Sequence, residues 1–412
     1  MTIFIKDVIL PSNKRANILI EENLITDVGK TARDKSDVVI DGRELAAIPG
    51  FFNMHTHAPM SLLKGFADDF DLHTWLTKHI FPVEARMKPK DIYYGTMLAC
   101  AEMIRSGTTC FNDMYFFEEE TAKAASKAGM RAIISKVITS EFKEDAVRKA
   151  IDKLKRYENI IPALGPHAIY TTTPEVLKGV KDLSDELSLP IHFHLSETQK
   201  EVKDCIKKRK VRPVEYLKKI GFLGSNLFNA HCVWLDKKEQ KILASHGAKV
   251  VSCPTSNLKL ASGIAPLKDI MDAKIQTMLG TDGSASNNSL NMFETLKLAS
   301  LLQKYRYNDA SVLNAETCFK LATVNAAQAL KINAGKIENG YLADVVLLDL
   351  NHISMTPRHN LISNIVFSAD PGCVHTVICN GKVIMEKKKI TWEQKIKRKA
   401  TKRALLLTKF II

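Results

Sequence analysis

Between residues 49 and 280, short apolar runs alternate with longer amphipathic stretches, and the alternation repeats eight times. The runs cover 49–54, 108–113, 131–137, 161–165, 191–195, 227–231, 249–253 and 276–280, with helical stretches such as 90–105, 118–128, 145–157, 174–187 and 237–246 between them. Short apolar runs bounded by turn formers read as strands buried on both faces, and strands joined through helices lie parallel. Eight such units predict an α/β fold of the (β/α)8 TIM-barrel type, whose chemistry collects at the C-terminal ends of the strands. An open doubly wound sheet would carry a glycine-rich turn after its first strand, where this chain has His55-Thr56-His57.

Both ends of the chain have a different texture. Residues 1–48 read as strands 3–5, 16–21, 24–28 and 38–41, separated by polar turns such as Asp41-Gly42. Segments 341–350 and 375–385 read the same way, the second with Asn380-Gly381 as a tight hairpin turn. The two ends are therefore expected to share one sheet. The organisation follows: residues 1–48 as one part of a small β domain, 49–335 as the barrel, and 336–412 as the rest of the β domain plus a terminal helix.

The formal net charge of +14 is localised, since residues 387–412 hold ten Lys or Arg against one acid, Glu393. That stretch reads as a solvated amphipathic helix, and no basic patch interleaved with aromatics points to nucleic acid. Eight scattered cysteines without a C-x-x-C pair fit reduced, core-packed thiols and a cytoplasmic protein. The first residues, MTIFIKDVIL, break their apolar run with Lys6 and Asp7, and no run approaches the ~18–20 residues of a membrane span.

A barrel makes a test of its strand ends, and six of the twelve histidines fall on four of them. His55 and His57 close the first strand; in extended chain, residues two apart point the same way. His167 follows the fourth strand, His192, His194 and Glu197 close the fifth, His231 closes the sixth and Asp282 the eighth. Neutral imidazole is the commonest zinc ligand, and His55, His57, His194 and Asp282 offer an N3O set for one divalent metal. Zinc suits it best, with iron or manganese as alternatives. Glu197 is placed to move a proton between a metal-activated water and a substrate, and His231 to hold or polarise that water. His192 is read as core, on the face opposite His194. The fourth strand end, ALGPHAIY, has no lysine to bridge a second metal, and the H-x-E with P-C-x-x-C arrangement of cytidine deaminases is absent.

The long stretches PGFFNMHTHAPMSLLKGFADDFDLHTWL, HFHLSET, NAHCVWL, SCPTSNLKLASGIAP and GTDGSASNNSLNMFETLKLASLLQK resemble the amidohydrolase superfamily over essentially the whole chain. They are most similar to its 5′-methylthioadenosine/S-adenosylhomocysteine and 5′-deoxyadenosine deaminases. The resemblance implies a β-sandwich of both termini beside the barrel, and His55, His57, His194 and Asp282 as metal ligands. It also implies proton handling by Glu197 and Asp282 at C6 of an adenine, with His231 orienting the hydroxide. Glu84 would meet the ribose hydroxyls, His167 the nucleoside, and Trp75 would form a face of the pocket. The partners implied are a small-molecule nucleoside and further copies of the chain, in a dimer or tetramer.

One stretch departs from the family, in which arginines on a longer loop after the third strand are associated with the carboxylate of S-adenosylhomocysteine. Here the link is short, ITSEFKEDAVRKA; Arg148 reads as helical and Arg131 begins the strand. No bidentate clamp is predicted, and small 5′ groups should be turned over at least as well as the homocysteine compound. A guanine- or s-triazine-type aminohydrolase or dechlorinase would share the metal set, so Glu84 and Trp75 discriminate. A catalytically inactive scaffold would lack ligands that are all present here.

Overall fold

The computed structural model describes residues 1–29 and 35–409. Five strands open the chain: β1 (Thr2–Ile9), β2 (Arg15–Glu21), β3 (Leu24–Gly29), β4 (Val38–Asp41) and β5 (Leu45–Pro49). Eight more follow: β6 (Phe51–Thr56), β7 (Thr108–Tyr115), β8 (Arg131–Ile138), β9 (Ile160–Pro166), β10 (Ile191–Leu195), β11 (Leu227–His231), β12 (Lys249–Ser252) and β13 (Thr277–Leu279). Three close the chain: β14 (Val345–Asp349), β15 (Val374–Cys379) and β16 (Lys382–Met385).

The two ends meet in one mixed sheet of order β16-β15-β14-β5-β1-β2-β3, with β4 also on β1. Ile3, Ile5, Ile18, Ile20, Val345 and Leu347 sit two apart along their strands and bury one face together, as period-two side chains must. The run expected as a single strand over 49–54 divides here, because β5 pairs with β14 while β6 enters the barrel. Gly50 permits the transfer, since a Cβ there would lie 2.2 Å from Thr109 Oγ1.

Strands β6 to β13 run parallel in sequential order around the barrel. Its lower interior is apolar, filled by Phe52, Met54, Cys110, Ile133, Ala163, Phe228, Val251 and Met278. The seam from β13 back to β6 is held by individual bonds: Asn53 Oδ1 accepts from Thr281 N–H at 2.9 Å, and His55 O accepts from Asp282 N–H at 2.9 Å. A Cβ on Gly280 would stand 2.6 Å from His55 N, so only glycine lets the seam close this tightly. The first and last strand ends, which carry His55 and Asp282, are thereby brought side by side.

Short helical pieces between β6 and the helix Pro89–Arg105 fold over the barrel mouth and carry Trp75 and Glu84. The C-terminal basic stretch is a helix, Glu393–Thr408, packed on Pro89–Arg105 through Ile396, Ala400 and an Arg105 Nε–Glu393 Oε1 bond of 2.8 Å. Residues 410–412 of that expected helix lie outside the described residues. Among the described residues no helix is long and apolar enough to cross a membrane.

Candidate functional site

The pairing of β6 with β7 shifts register between Asn53 and Thr56. Phe52 and Met54 pack in the barrel core below this shift, while His55 and His57 take the mouth above it. Their rings lie 5.0 Å apart at 82°. His194 rises from β10 with its ring stacked 5.3 Å from His57, and His167 lies 4.6 Å from His194. Asp282 and His231 complete the ring of donors, and two overlapping triads, His55–His57–His194 and His55–His231–Asp282, keep their ligand atoms within 4.8 Å.

The tautomers follow from the partners. His57 Nδ1 donates to Met114 O at 2.6 Å and His194 Nδ1 to His167 O at 2.7 Å, and a carbonyl can only accept. In the neutral rings each Nε2 is then a lone pair, yet these two nitrogens face each other at 3.3 Å. His55 Nε2 is buried without a hydrogen-bond partner and lies 3.4 Å from Asp282 Oδ1, as does His57 Nε2. Lone pairs and a carboxylate converging in this way repel unless a cation lies among them. Donor atoms that share one zinc-like ion, each about 2.0–2.1 Å from it, stand roughly 3 Å apart, so these donors would suit a single such ion.

Burial keeps His55 and His194 neutral, and so ready to ligate, lowering His55 to about 4 and His194 well below its usual value. Burial alone would raise Asp282, but the His55, His57 and His231 rings facing it hold it well below the ordinary carboxylate range. Asp282 Oδ2 also accepts from Ser256 Oγ at 2.5 Å. Burial raises Glu197, whose Oε2 lies 3.8 Å from His231 Nε2. Burial disfavours charge on His231, but Glu197 and Asp282 outweigh it and raise its pKa. Asn257 Oδ1 accepts from His231 Nδ1 at 2.9 Å and sets that ring's orientation. Two of the strand ends are strained: His231 and Asp282 are left-handed, at φ +70° and +67°, each costing about 1 kcal/mol or more.

Trp75, Glu84, His167, Glu197, His231 and Asp282 line one cavity with His57 and His194, so the mouth gathers all the residues singled out from the sequence, with His55 just beneath. Trp75 Nε1 is buried without a partner. Glu84 sits half-buried in the wall, where burial raises it to about 7 against the bond from Tyr115. His192 does not face away from His194. The two are two apart on β10, share a face, and stack at 6.4 Å. His192 Nε2 lies 2.6 Å from His55 Nδ1, where it accepts that proton and leaves His55 Nε2 free for a metal. The period-two rule applied to β10 would have found it. Asp113 was also missed: it accepts from Thr56 Oγ1 at 2.8 Å and Ala58 N–H at 2.6 Å, bracketing His57.

Arg148 points outward to Glu144 and Glu186, and Arg131 is buried against Asp344 beneath the barrel. Among the described residues no Arg or Lys lines the catalytic cavity. Lys136 and Lys153 line an adjoining hollow, paired with Glu118 and Glu119.

Fold and donor set together define a (β/α)8 hydrolase of the class that works with a metal ion at the barrel mouth. The model of the amidohydrolase family matches residues 46–384, and this chain belongs to that metal-dependent family. It is 45% identical to 5-methylthioadenosine/S-adenosylhomocysteine deaminase 1 of Archaeoglobus fulgidus, covering 90% of this chain and 89% of the relative. It is 42% identical to the 5′-deoxyadenosine deaminase of Methanocaldococcus jannaschii, covering 97% and 98%. Among solved structures, an adenosine deaminase from Xanthomonas campestris with bound zinc superimposes with a TM-score of 0.94 at 33% identity, covering 99% and 98%.

Proposed function

We propose that this chain hydrolytically deaminates 5′-modified adenosines to the inosine analogues and ammonia. The observation that carries the reading is the convergence of the His55, His57, His194 and Asp282 donors beside Glu197 and His231, in a chain 45% identical to a deaminase of that kind. These four would hold one divalent metal ion, zinc being the best match to their spacing and donor set, and the ion would supply a water acidified toward a pKa of about 7.

The remaining chemistry belongs to the side chains. Glu197 hands a proton to N1 of the purine as C6 becomes tetrahedral, and burial, which raises its pKa, favours the protonated form that this step needs. Asp282 takes up the first proton lost by the attacking water and passes it to the departing amine, and the remaining hydroxyl proton returns to Glu197 as C6 becomes a carbonyl. His231, held by Asn257, fixes the direction of attack. Trp75 covers the base, His167 contacts the nucleoside, and Glu84 accepts from the ribose hydroxyls. A free base has no diol for Glu84, which separates this reading from a guanine- or triazine-type hydrolase.

With no Arg or Lys lining the cavity among the described residues, 5′-deoxy and 5′-methylthio groups should be accepted at least as well as the homocysteine carboxylate. All eight cysteines are buried and unpaired, which supports a reducing, cytoplasmic setting. Self-association to a dimer or tetramer is checked by light scattering. The decisive assay follows the ultraviolet shift from adenine to hypoxanthine absorbance with 5′-deoxyadenosine, 5′-methylthioadenosine, S-adenosylhomocysteine, adenosine and guanine. Turnover of the adenosines is expected; turnover of guanine alone would reassign the substrate, and silence on all five would leave only the fold.

A further inference from the structure

Glu201 is a buried carboxylate without a cation beside it. It stands in the first turn of the helix Gln199–Arg209 and is 8% exposed. Burial pushes its carboxyl up to about 7, and Glu197, of the same sign, pushes in the same direction. A charge placed there is costly unless it holds something.

The ordinary use of an acid at this position is to close a capping box, returning to the N–H of the residue that begins the helix. Half of that motif is present, because Thr198 Oγ1 accepts from Glu201 N–H at 3.1 Å. The other half is displaced up the chain. Glu201 Oε1 accepts from Ser196 N–H at 2.8 Å, and Oε2 from Glu197 N–H at 2.9 Å. Neither residue belongs to the helix, so neither bond is one the helix requires.

What these bonds hold is the turn leaving β10. Ser196 is left-handed at φ +49°, and the carbonyls of Leu195 and Ser196 accept from Cys232 and Trp234 N–H, both at 3.0 Å. The residues after β11 therefore hold the turn by its carbonyls, and Glu201 holds it by its amides. From this turn the Glu197 side chain enters the cavity, where its carboxyl faces His231.

We infer that Glu201 is a positioning residue for Glu197, gripping the two amides of the turn so that the proton-carrying carboxyl keeps its place beside His231. The inference rests on the proton-transfer role of Glu197 in the proposed deamination. Glu201 is neither one of the metal donors nor a residue lining the cavity, and it meets the wall only through the Glu197 amide, so its loss should leave substrate binding and metal loading intact while the chemical step slows. A displacement of about 1 Å in such a group costs on the order of a hundredfold.

The test uses the full, metal-loaded chain with 5′-deoxyadenosine, and compares Glu201→Ala, Glu201→Gln and Glu197→Gln for kcat, KM, metal per chain and melting temperature. Glu201→Ala should lower kcat about ten- to hundredfold, with KM and metal content within about twofold of the parent. Glu201→Gln retains one carbonyl acceptor and should fall between. A kcat per metal-loaded chain within about twofold of the parent would overturn the inference. So would a loss that merely tracks metal content or the folded fraction, which is the signature of a purely structural role. If the alanine variant does not fold, the glutamine variant decides by the same criteria. An inactive Glu197→Gln beside a fully active Glu201→Ala removes this inference alone, whereas full turnover in Glu197→Gln removes the deamination reading and the inference with it.

Discussion

Two buried polar clusters lie at opposite ends of the barrel, and they are built on opposite rules. At the base, where the barrel meets the terminal sheet, Arg131 at the start of β8 faces Asp344 at 3.3 Å. Asn380 N–H donates to Asp344 Oδ1 at 2.7 Å, and Asn380 Nδ2 to Asn159 Oδ1 at 2.8 Å. Charge meets opposite charge and donors meet acceptors, so the cluster is complete within the chain. At the mouth, His57 and His194 turn lone pairs toward each other, Asp282 joins them, and His55 Nε2 has no partner. A satisfied buried network holds domains together, whereas a convergent unsatisfied one is assembled for a group the chain does not itself supply.

That contrast can be broken most sharply at Asp282. Asp282→Asn should abolish metal loading and lower kcat/KM by at least about a thousandfold, with little change in the melting temperature of the metal-free protein. Elemental analysis, an ultraviolet assay and calorimetry check the three parts. Arg131→Met should do the reverse. An uncompensated Asp344 in the base should cost about 3–5 kcal/mol in denaturant unfolding, while kcat of the folded, loaded fraction stays within about twofold.

His192→Phe keeps ring volume but removes the acceptor for His55 Nδ1. Metal affinity measured by competition with a chelator should fall about ten- to hundredfold, since a ligand's own hydrogen-bond partner is worth that much. The smallest effect concerns Glu84. Burial raises its pKa, so ionisation opposes folding and its contribution to stability declines as pH rises from the ordinary carboxylate range to about 7. In the proposed function Glu84 accepts from the ribose hydroxyls, a task for its ionised form. KM for 5′-deoxyadenosine should therefore rise as pH falls below about 7, and Glu84→Gln should raise KM about tenfold at pH 8 and flatten that limb. A Glu84→Gln profile still bent at the same pH would assign the titration to another group.

Much of this architecture is written in local patterns. The helices Glu118–Ala128 and Pro174–Leu187, and the strands β10 and β11, coincide with their expected limits because apolar period and turn residues act over a few neighbours. The chain was misread where a long-range contact interrupts that period. β5 and β6 look like one apolar run, yet Gly50 separates two sheets that each need a different partner. His192 shares a face of β10 with His194, against the expectation of opposite faces, and the period-two rule already contains that placement. Asn257 and Asp113 carried no such signal, since what they do depends on His231 and His57, 26 and 56 positions away.

The order of residues alone determined that eight strand-and-helix units would form and that histidines and an aspartate would stand at their ends. Hydrophobic period, turn chemistry and side-chain type are properties of neighbouring residues, so they can be read without coordinates. Only the tertiary structure decided that β13 returns beside β6, which imidazole nitrogen carries each proton, and that Glu201 reaches past its own helix to the turn below Glu197. Those outcomes turn on separations of about 3 Å between groups distant in the chain, and hydrogen bonds and metal coordination fail when such separations change by a few tenths of an ångström.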